Sequence, residues 1–237
     1  MRNAWLIARR ELGSYFTSPV AYAVTAVWLL IVGYFFALIL YYSREATMRY
    51  LFHNVTFFLL LMGPALTMRL VAEERKSGTI ELLLTSPVRD GEVIAGKFIA
   101  ALTLWALMLA VTLVYPALLR AFGNPDPGPI ATGYLGLLLL GSAILALGVV
   151  ASTLTSNQII AALVAFALGL LFWLSEALQD VLSGALGSFF SYLSLSSHFY
   201  DFPKGVVDTK DVIFYLSITV AALFLATRLL ETRRYQP

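Results

Sequence analysis

The chain has no cysteine and only two histidines among its 237 residues. Without cysteine, it can form neither a disulfide framework nor a thiolate metal site. Charged residues make up only 13% of the sequence, whereas globular domains carry roughly 25%. Hydrophobic residues instead reach 59%. This composition predicts an integral membrane protein, and a net charge of +2 gives no indication of nucleic-acid binding.

The long apolar segments predict an all-α integral membrane protein that forms a single transmembrane domain over residues 1–237. A transmembrane helix needs about 20 predominantly apolar residues, and six segments meet this requirement. The predicted spans are Val20–Tyr42, Leu51–Val71, Val93–Leu119, Tyr134–Leu154, Gln158–Leu174 and Val212–Leu230. Eleven of the sixteen Lys and Arg residues fall on the side that holds both termini. Because positively charged loops remain in the cytoplasm, both termini are predicted to be cytoplasmic.

Two segments flank the spans without crossing the membrane. Residues 3–18 predict an amphipathic helix in the inner membrane interface, although a plain basic anchor is the alternative. Its apolar face would comprise Trp5, Ala8, Leu12, Tyr15 and Phe16. Residues 175–210 predict an extracytoplasmic helical hairpin between the fifth and sixth spans, with a break at Gly187, that dips into the outer leaflet or caps the spans.

Residues 73–90 form a connection on the predicted cytoplasmic side that begins with four consecutive charged residues. Apolar residues then recur at helical spacing, and Pro87 ends the pattern. The pattern predicts a short amphipathic helix from Thr79 to about Thr85, joined to the second and third spans. Such a helix is suited to receive force from a soluble partner. An interfacial segment that rests on lipid is the alternative interpretation.

Residues Gly91–Lys97 match G-x-x-x-x-G-K, which is most of the phosphate-binding loop of nucleotide hydrolases. That loop also needs a strand before it and a hydroxyl after the lysine to hold Mg²⁺. Phe98 occupies the hydroxyl position here, and a long apolar run follows it. We therefore interpret the match as a helix start, with Asp90 as the cap and Glu92 in the first turn.

Other functional classes have weaker support in the sequence. A proton-coupled transporter usually needs an ionisable residue in mid-membrane, but Arg69 and Lys97 lie near predicted span ends, where they can snorkel to the surface. A membrane enzyme needs convergent groups, and His53 and His198 are isolated. A membrane anchor that only recruits a partner remains open. Polar residues in the spans either line a transport pathway or bond between helices; they are Asn54, Thr56, Thr67, Asn157 and Gln158.

The stretch EERKSGTIELLLTSP resembles the coupling-helix motif E-E-x-x-x-G-T-x-E-x-L-L-x-x-P of type-2 ABC transporter permeases. The matching residues are Glu73, Glu74, Gly78, Thr79, Glu81, Leu83, Leu84 and Pro87. The opening ARRELGSYFTSPVAYAV and the closing residues 198–234 are similar to one branch of that family. This branch includes gliding-motility-associated permeases and relatives from copper and nitrous-oxide gene systems.

This resemblance implies a permease subunit without an ATPase site or cofactor of its own. A separate ATP-binding cassette subunit would bind ATP and Mg²⁺ and press on the coupling helix. The family also implies a second permease chain, the same or homologous, surrounding membrane lipid, and a location in a bacterial or archaeal cytoplasmic membrane. In some relatives an auxiliary extracytoplasmic protein takes part, so transmission of force without substrate movement is the alternative function.

Overall fold

The structure is a computed structural model that describes residues 2–79, 88–177 and 184–234. All regular structure within these residues is helical. The helices are α1 Arg2–Thr17, α2 Pro19–Ser43, α3 Arg49–Thr67, α4 Ala72–Lys76, α5 Asp90–Thr112, α6 Val114–Phe122, α7 Pro127–Leu154, α8 Gln158–Leu174, α9 Ala185–Tyr192, α10 Leu195–Phe199, a 3₁₀ turn Phe202–Lys204 and α11 Thr209–Arg234. The prediction of an all-α membrane protein therefore agrees with the part of the chain that the structure describes.

Five helical stretches of the described residues are long and apolar enough to cross a membrane. They are Pro19–Ser43, Arg49–Lys76, Asp90–Phe122, Pro127–Leu154 and Thr209–Thr232. The predicted fifth span corresponds to α8, which is apolar but only 17 residues long. That length is at the lower limit for a transmembrane helix, so the predicted number of six spans depends on this helix.

The long helices run between two opposite ends of the bundle. At one end, Arg75 of α4 donates a hydrogen bond of 2.8 Å to the carbonyl of Thr153, near the end of α7. At the other end, Thr132 near the start of α7 donates a hydrogen bond of 2.6 Å to the carbonyl of Phe202. We call these the Glu74 end and the His198 end, after the residues that dominate each.

Helices α8 and α11 also run from one end to the other. Helix α8 starts just after the Glu74 end of α7, and its Trp173 carbonyl accepts a hydrogen bond of 3.3 Å from Ser196 at the His198 end. Asp211 in the first turn of α11 lies beside His198, and a Cβ on Gly91 of α5 would lie 3.7 Å from Thr227 near the other end of α11. Although short, α8 thus connects the same two ends as the longer helices.

Helix α7 is the centre of the bundle, and its small residues allow close approach of the neighbouring helices. A Cβ on Gly141 would lie 2.1 Å from the indole nitrogen of Trp105 in α5. A Cβ on Gly148 would lie 2.1 Å from the hydroxyl of Thr67 in α3. Both distances are far below van der Waals contact, so these glycines serve helix packing.

The face with which the first helix packs against protein matches the predicted one only in part, at Ala8 and Tyr15. Its buried residues are Ala4, Ile7 and Ala8, whereas Trp5 is 61% exposed and Phe16 is also exposed. The prediction placed the apolar face of α1 in the membrane interface. Instead, the small and medium-sized residues pack onto α5, and Trp5 is left facing outward.

The structure also corrects the predicted break at Gly187. Helix α9 continues through Gly187, and the residue that precedes the helix, Gly184, has φ of 79°. This left-handed conformation is accessible to glycine without strain. The remaining residues of the predicted outer helix, 178–183, lie outside the described part of the chain.

Candidate functional site

The predicted coupling segment begins where α3 turns into α4, and Ser152 of α7 fastens this turn to the bundle. The Ser152 hydroxyl accepts hydrogen bonds from the backbone N–H groups of Val71, at 3.0 Å, and Ala72, at 3.1 Å. It also donates to the carbonyl of Met68 at 3.2 Å. Because backbone groups at a helix junction lack partners within the helix, one serine hydroxyl from α7 replaces the missing bonds.

Glu73 belongs to a second set of contacts at this junction. Arg69 donates to both Glu73 carboxylate oxygens, at 2.8 Å and 3.0 Å. The same guanidinium donates to the hydroxyl of Ser18 at 2.9 Å. Ser18 also caps the start of α2 by accepting from the N–H of Val20. The Arg69 side chain therefore joins the first charged residue of the coupling segment to the start of α2.

Glu74 faces in the other direction, towards a buried lysine. Lys97 of α5 is only 1% exposed, and its Nζ lies 2.9 Å from Glu74 Oε2 and 3.1 Å from Glu11 Oε1 of α1. The ammonium also donates to the carbonyl of Leu70. Two carboxylates and a carbonyl therefore surround one cation, as a buried charge requires.

Arg10 completes this cluster and balances its charge. Its guanidinium donates to Glu74 Oε1 at 2.8 Å and to Glu11 Oε1 at 2.9 Å. Two cations and two carboxylates give no net charge, so the desolvation of each ion is offset by a partner. We call Arg10, Glu11, Glu74 and Lys97 the Lys97 junction. The expectation that Lys97 snorkels to the membrane surface is wrong, because its partners lie inside the protein.

Gly96 allows α1 to approach α5 closely enough to form the junction. A Cβ at this position would lie 2.7 Å from the carbonyl oxygen of Ala4 and 2.8 Å from two side-chain carbons of Ile7. Only glycine leaves room for the α1 backbone there. The next residue on α5 is Lys97, so the close approach brings its ammonium within reach of Glu11.

The nucleotide-loop match at Gly91–Lys97 is helical along its whole length. Arg89 is the N-cap residue of α5, and the Glu92 carboxylate accepts from the Arg89 N–H at 3.4 Å. The prediction that Asp90 is the cap is therefore wrong by one residue. The backbone N–H groups from Glu92 onward bond to carbonyls within the helix, and Lys97 is held by the junction, so this segment does not form a phosphate-binding loop.

The described part of the coupling motif ends at Gly78 and Thr79. Gly78 has φ of 72°, a conformation that favours glycine. The exposed Thr79 hydroxyl lies 2.9 Å from that of Ser77. The other motif residues, Glu81, Leu83, Leu84 and Pro87, lie outside the described residues.

The candidate pathway residues do not converge on one site. Thr56 and Thr67 are buried, and each donates to a carbonyl of its own helix, at 2.7 Å and 2.9 Å respectively. Asn54 is exposed and donates to the Tyr50 carbonyl at 2.8 Å. Asn157 caps α8 by accepting from the N–H of Ile159 at 2.9 Å. Gln158 is the first residue of that helix.

Sequence inspection missed the partners of Glu74, although one signal was present. Glu11 extends the buried positions Ala4, Ile7 and Ala8 of α1 at helical spacing. A carboxylate in line with such a face indicates a buried cation nearby. The sequence does not reveal which cation, because Lys97 is 86 residues away.

Comparison with known proteins identifies the family to which this architecture belongs. The model of the ABC-2 family transporter protein matches residues 5–234, nearly the whole chain. The chain belongs to the ABC-2 transporter family. Together with the apolar helices, this membership supports a multi-pass membrane protein.

A curated ABC-2 relative is the probable multidrug ABC transporter permease YbhR of Escherichia coli K12. It is 30% identical over 88 residues, which cover 37% of this chain and 23% of YbhR. The same values apply to YbhR of Escherichia coli O157:H7. The similarity thus includes less than a quarter of the relative, and it concerns the permease class rather than a particular substrate.

Proposed function

We propose that this chain is the permease subunit that moves a substrate across a bacterial or archaeal cytoplasmic membrane with energy from ATP hydrolysed by a separate subunit. The observation that carries the proposal is the Lys97 junction. It joins the start of segment 73–90 to α1 and α5, while Ser152 joins it to α7. A partner that presses on this segment would move these helices together.

Within this proposal, the residues of the coupling motif divide into two roles. Glu73 and Glu74 are positioning residues, because their carboxylates are held by Arg69 and Lys97. Contact with the ATP-binding subunit falls to Gly78 and Thr79 and to the motif residues that follow. These are Glu81, Leu83, Leu84 and Pro87.

Uncoupling experiments test this assignment. The double variant Glu74→Gln/Glu81→Gln would be co-purified with its ATP-binding subunit and reconstituted into liposomes. We expect either loss of the subunit or ATP hydrolysis that no longer responds to the permease, with membrane insertion unchanged. Glu231→Gln removes a carboxylate paired with Arg228 at the same end of the bundle and serves as the matched control. Normal coupling in the double variant would contradict the assignment.

We also propose six spans with both termini in the cytoplasm, which requires α8 to cross the membrane. The course of α8 between the two ends of the bundle supports this topology. The natural absence of cysteine allows single cysteines to be placed at Ser77, Ser156 and Val206. Membrane-impermeant maleimide should label Val206 from outside, and Ser77 and Ser156 only after permeabilisation. Labelling of Ser156 and Val206 from the same side would refute the crossing of α8.

Transmission of force to an extracytoplasmic partner is the second candidate function. The similarity of the chain ends to the gliding-motility-associated branch supports it, as does the firm attachment of the outer segment to α11 through His198 and Asp211. Such a platform would transmit motion of α11 outward. The two functions predict different effects of an added substrate. Transport requires that a transported substrate changes the rate of ATP hydrolysis, whereas transmission of force does not.

The proposed complex contains two permease chains, the same or homologous, and holds no cofactor in this subunit. Helix α2 is the most weakly packed of the long helices, with Leu30, Tyr34 and Tyr41 exposed. This surface would contact lipid or the second permease.

A further inference from the structure

At the end of the bundle opposite the Lys97 junction, a histidine and an aspartate form a buried pair. His198 of α10 is 6% exposed, and Asp211 in the first turn of α11 is 2% exposed. The His198 Nδ1 lies 2.6 Å from Asp211 Oδ1, and its Nε2 lies 2.9 Å from the Tyr192 carbonyl oxygen. The ring also stacks on Phe214 with 3.8 Å between centroids.

Both ring nitrogens of His198 therefore face hydrogen-bond acceptors. A carbonyl oxygen can only accept, so Nε2 must carry a hydrogen to bond with Tyr192. The short Nδ1–Oδ1 contact needs a second hydrogen between the two atoms. A free histidine above about pH 6.5 carries one ring hydrogen and a free aspartate carries none. The paired arrangement thus holds one more proton than the two separated side chains.

We propose that His198 and Asp211 form a proton-linked latch that fastens the outer segment 184–208 to the start of α11. Proton uptake accompanies closure, so acid favours the closed latch and alkali favours its release. Because one proton is involved, the ratio of open to closed forms should rise about tenfold per pH unit while the closed pair keeps the proton that the separated side chains have lost. The proposal concerns only this chain and does not depend on the proposed transport function.

A cleft of about 400 Å³ gives water access to the latch. Serine hydroxyls line it together with Tyr192, Lys210 and both members of the pair. Protons can therefore exchange at a side chain that is otherwise enclosed by aromatic rings. Release of the ring would let this cleft widen towards α10.

The other ionisable groups around the latch have partners of their own. Asp201 bonds to Lys204 at 2.6 Å, and Asp208 pairs with Lys210 at 3.0 Å. The Tyr215 hydroxyl donates to the carbonyl of Leu195 at 2.8 Å. The remaining groups on neighbouring elements are Glu176, which accepts from Ser196, Tyr134, which bonds to Thr112, and Asp126, which caps α7.

Nuclear magnetic resonance of the ring nitrogens tests the proton count directly. The chain has only two histidines, so His53→Gln leaves His198 as the sole source of ¹⁵N-histidine signals in the full-length protein. We expect both ring nitrogens to be protonated, or one proton to be shared with Asp211, at about pH 7.5 and therefore also at pH 6, although a free histidine is mostly singly protonated at about pH 7.5. A ring with one fully unprotonated nitrogen and no shared proton at about pH 7.5 would overturn the proposal.

A buried cysteine reports the opening of the latch. Ser194 next to α10 is fully buried, and Ser194→Cys should react with a soluble maleimide only when the segment detaches. The labelling rate of Ser194→Cys would be divided by the labelling rate of an exposed Val206→Cys variant at the same pH. This ratio corrects for the pH dependence of thiol reactivity. We expect this ratio to rise at least tenfold between pH 6 and pH 9.

Matched variants separate the latch from general loss of structure. Asp211→Asn should abolish the pH dependence of the ratio, and His198→Gln should leave the ratio high at every pH. Asp208→Asn removes the same charge three residues earlier and keeps a helix-capping side chain, so its pH dependence should equal that of the unmodified chain. A constant ratio in the unmodified chain, or an unchanged pH step in Asp211→Asn, would refute the latch.

Discussion

Lys97 Nζ lies 2.9 Å from Glu74 Oε2 and joins the start of the predicted coupling segment to α5, the helix that follows the segment. Glu74 stands at the start of segment 73–90, and Lys97 lies about two helical turns into α5, which follows the segment. The ion pair thus closes the connection at its base. Under the proposed function, movement applied to the segment would reach α3 and α5 together, and Glu11 would pass it to α1.

Replacing Lys97 tests whether this buried cation holds the junction together. Lys97→Met should lower the free energy of unfolding by about 3 kcal/mol, because Glu11 and Glu74 would face each other without a buried cation. The midpoint of thermal unfolding in detergent measures the change. Lys76→Met, at an exposed lysine of α4, should alter stability by less than about 0.5 kcal/mol.

A second substitution distinguishes charge from packing at this position. Adding Glu74→Gln to Lys97→Met removes one of the repelling carboxylates and should restore part of the lost stability. If the double variant is as unstable as Lys97→Met alone, the loss comes from the shape of the side chain and not from the ion cluster.

Gly96 provides a test of the contact between α1 and α5. Gly96→Ala should destabilise the chain by about 1–3 kcal/mol, since the new methyl group meets the Ala4 carbonyl and Ile7. It should also weaken coupling to the ATP-binding subunit because Glu11 moves away from Lys97. Gly91→Ala is the matched control, because its methyl group makes only an ordinary contact with Thr227. Equal effects of both variants would contradict the close-packing explanation.

The helical membrane architecture could be predicted from composition and helical spacing, because the bilayer requires apolar side chains and regular helices. Apolar helices must be about 20 residues long to cross it, and their backbone bonds must be satisfied internally. The same argument did not decide the status of α8, whose 17 residues lie at the limit. Helical spacing also placed Trp5 and Phe16 on the apolar face of α1, although both are exposed. A periodic pattern does not distinguish a face that contacts protein, here α5, from a face that contacts lipid.

The contacts of the Lys97 junction could not be predicted from the sequence, for a different physical reason. Its side chains come from three segments, and the energy of an ion pair depends on distances that sequence separation does not determine. The motif resemblance identified Glu74, but not the lysine that it contacts. Contact of Glu81 and the residues after it with the ATP-binding subunit stays a prediction.

Ser152 offers a test of how α7 is linked to the coupling segment. Ser152→Ala leaves the N–H groups of Val71 and Ala72 without an acceptor and should cost about 2 kcal/mol. Hydrogen exchange of these two amides should accelerate. Ser142→Ala is a control in the same helix, because that hydroxyl donates mainly to the Leu139 carbonyl of its own helix. Unchanged exchange at Val71 would show that Ser152 does not secure the turn.

Tyr15 makes stability depend on pH through the contact between α1 and α3. Burial raises the pKa of the Tyr15 phenol well above its usual value of about 10, and the hydroxyl donates to the Leu66 carbonyl. The folded chain thus retains this proton more strongly than the unfolded chain. Its stabilising contribution is complete below about pH 10 and is lost as the pH rises further.

Comparison with Tyr15→Phe isolates this contribution. At pH 7–9 the variant should be less stable by about 1 kcal/mol, the typical net value of one hydrogen bond. Above about pH 10 the difference should shrink, because only the unmodified chain has a phenol that ionises on unfolding. Tyr22→Phe removes an exposed hydroxyl that donates to the Phe16 carbonyl at 2.9 Å, and it should show neither effect. A difference that grows with pH would mean that the folded state favours the ionised phenol, contrary to its burial.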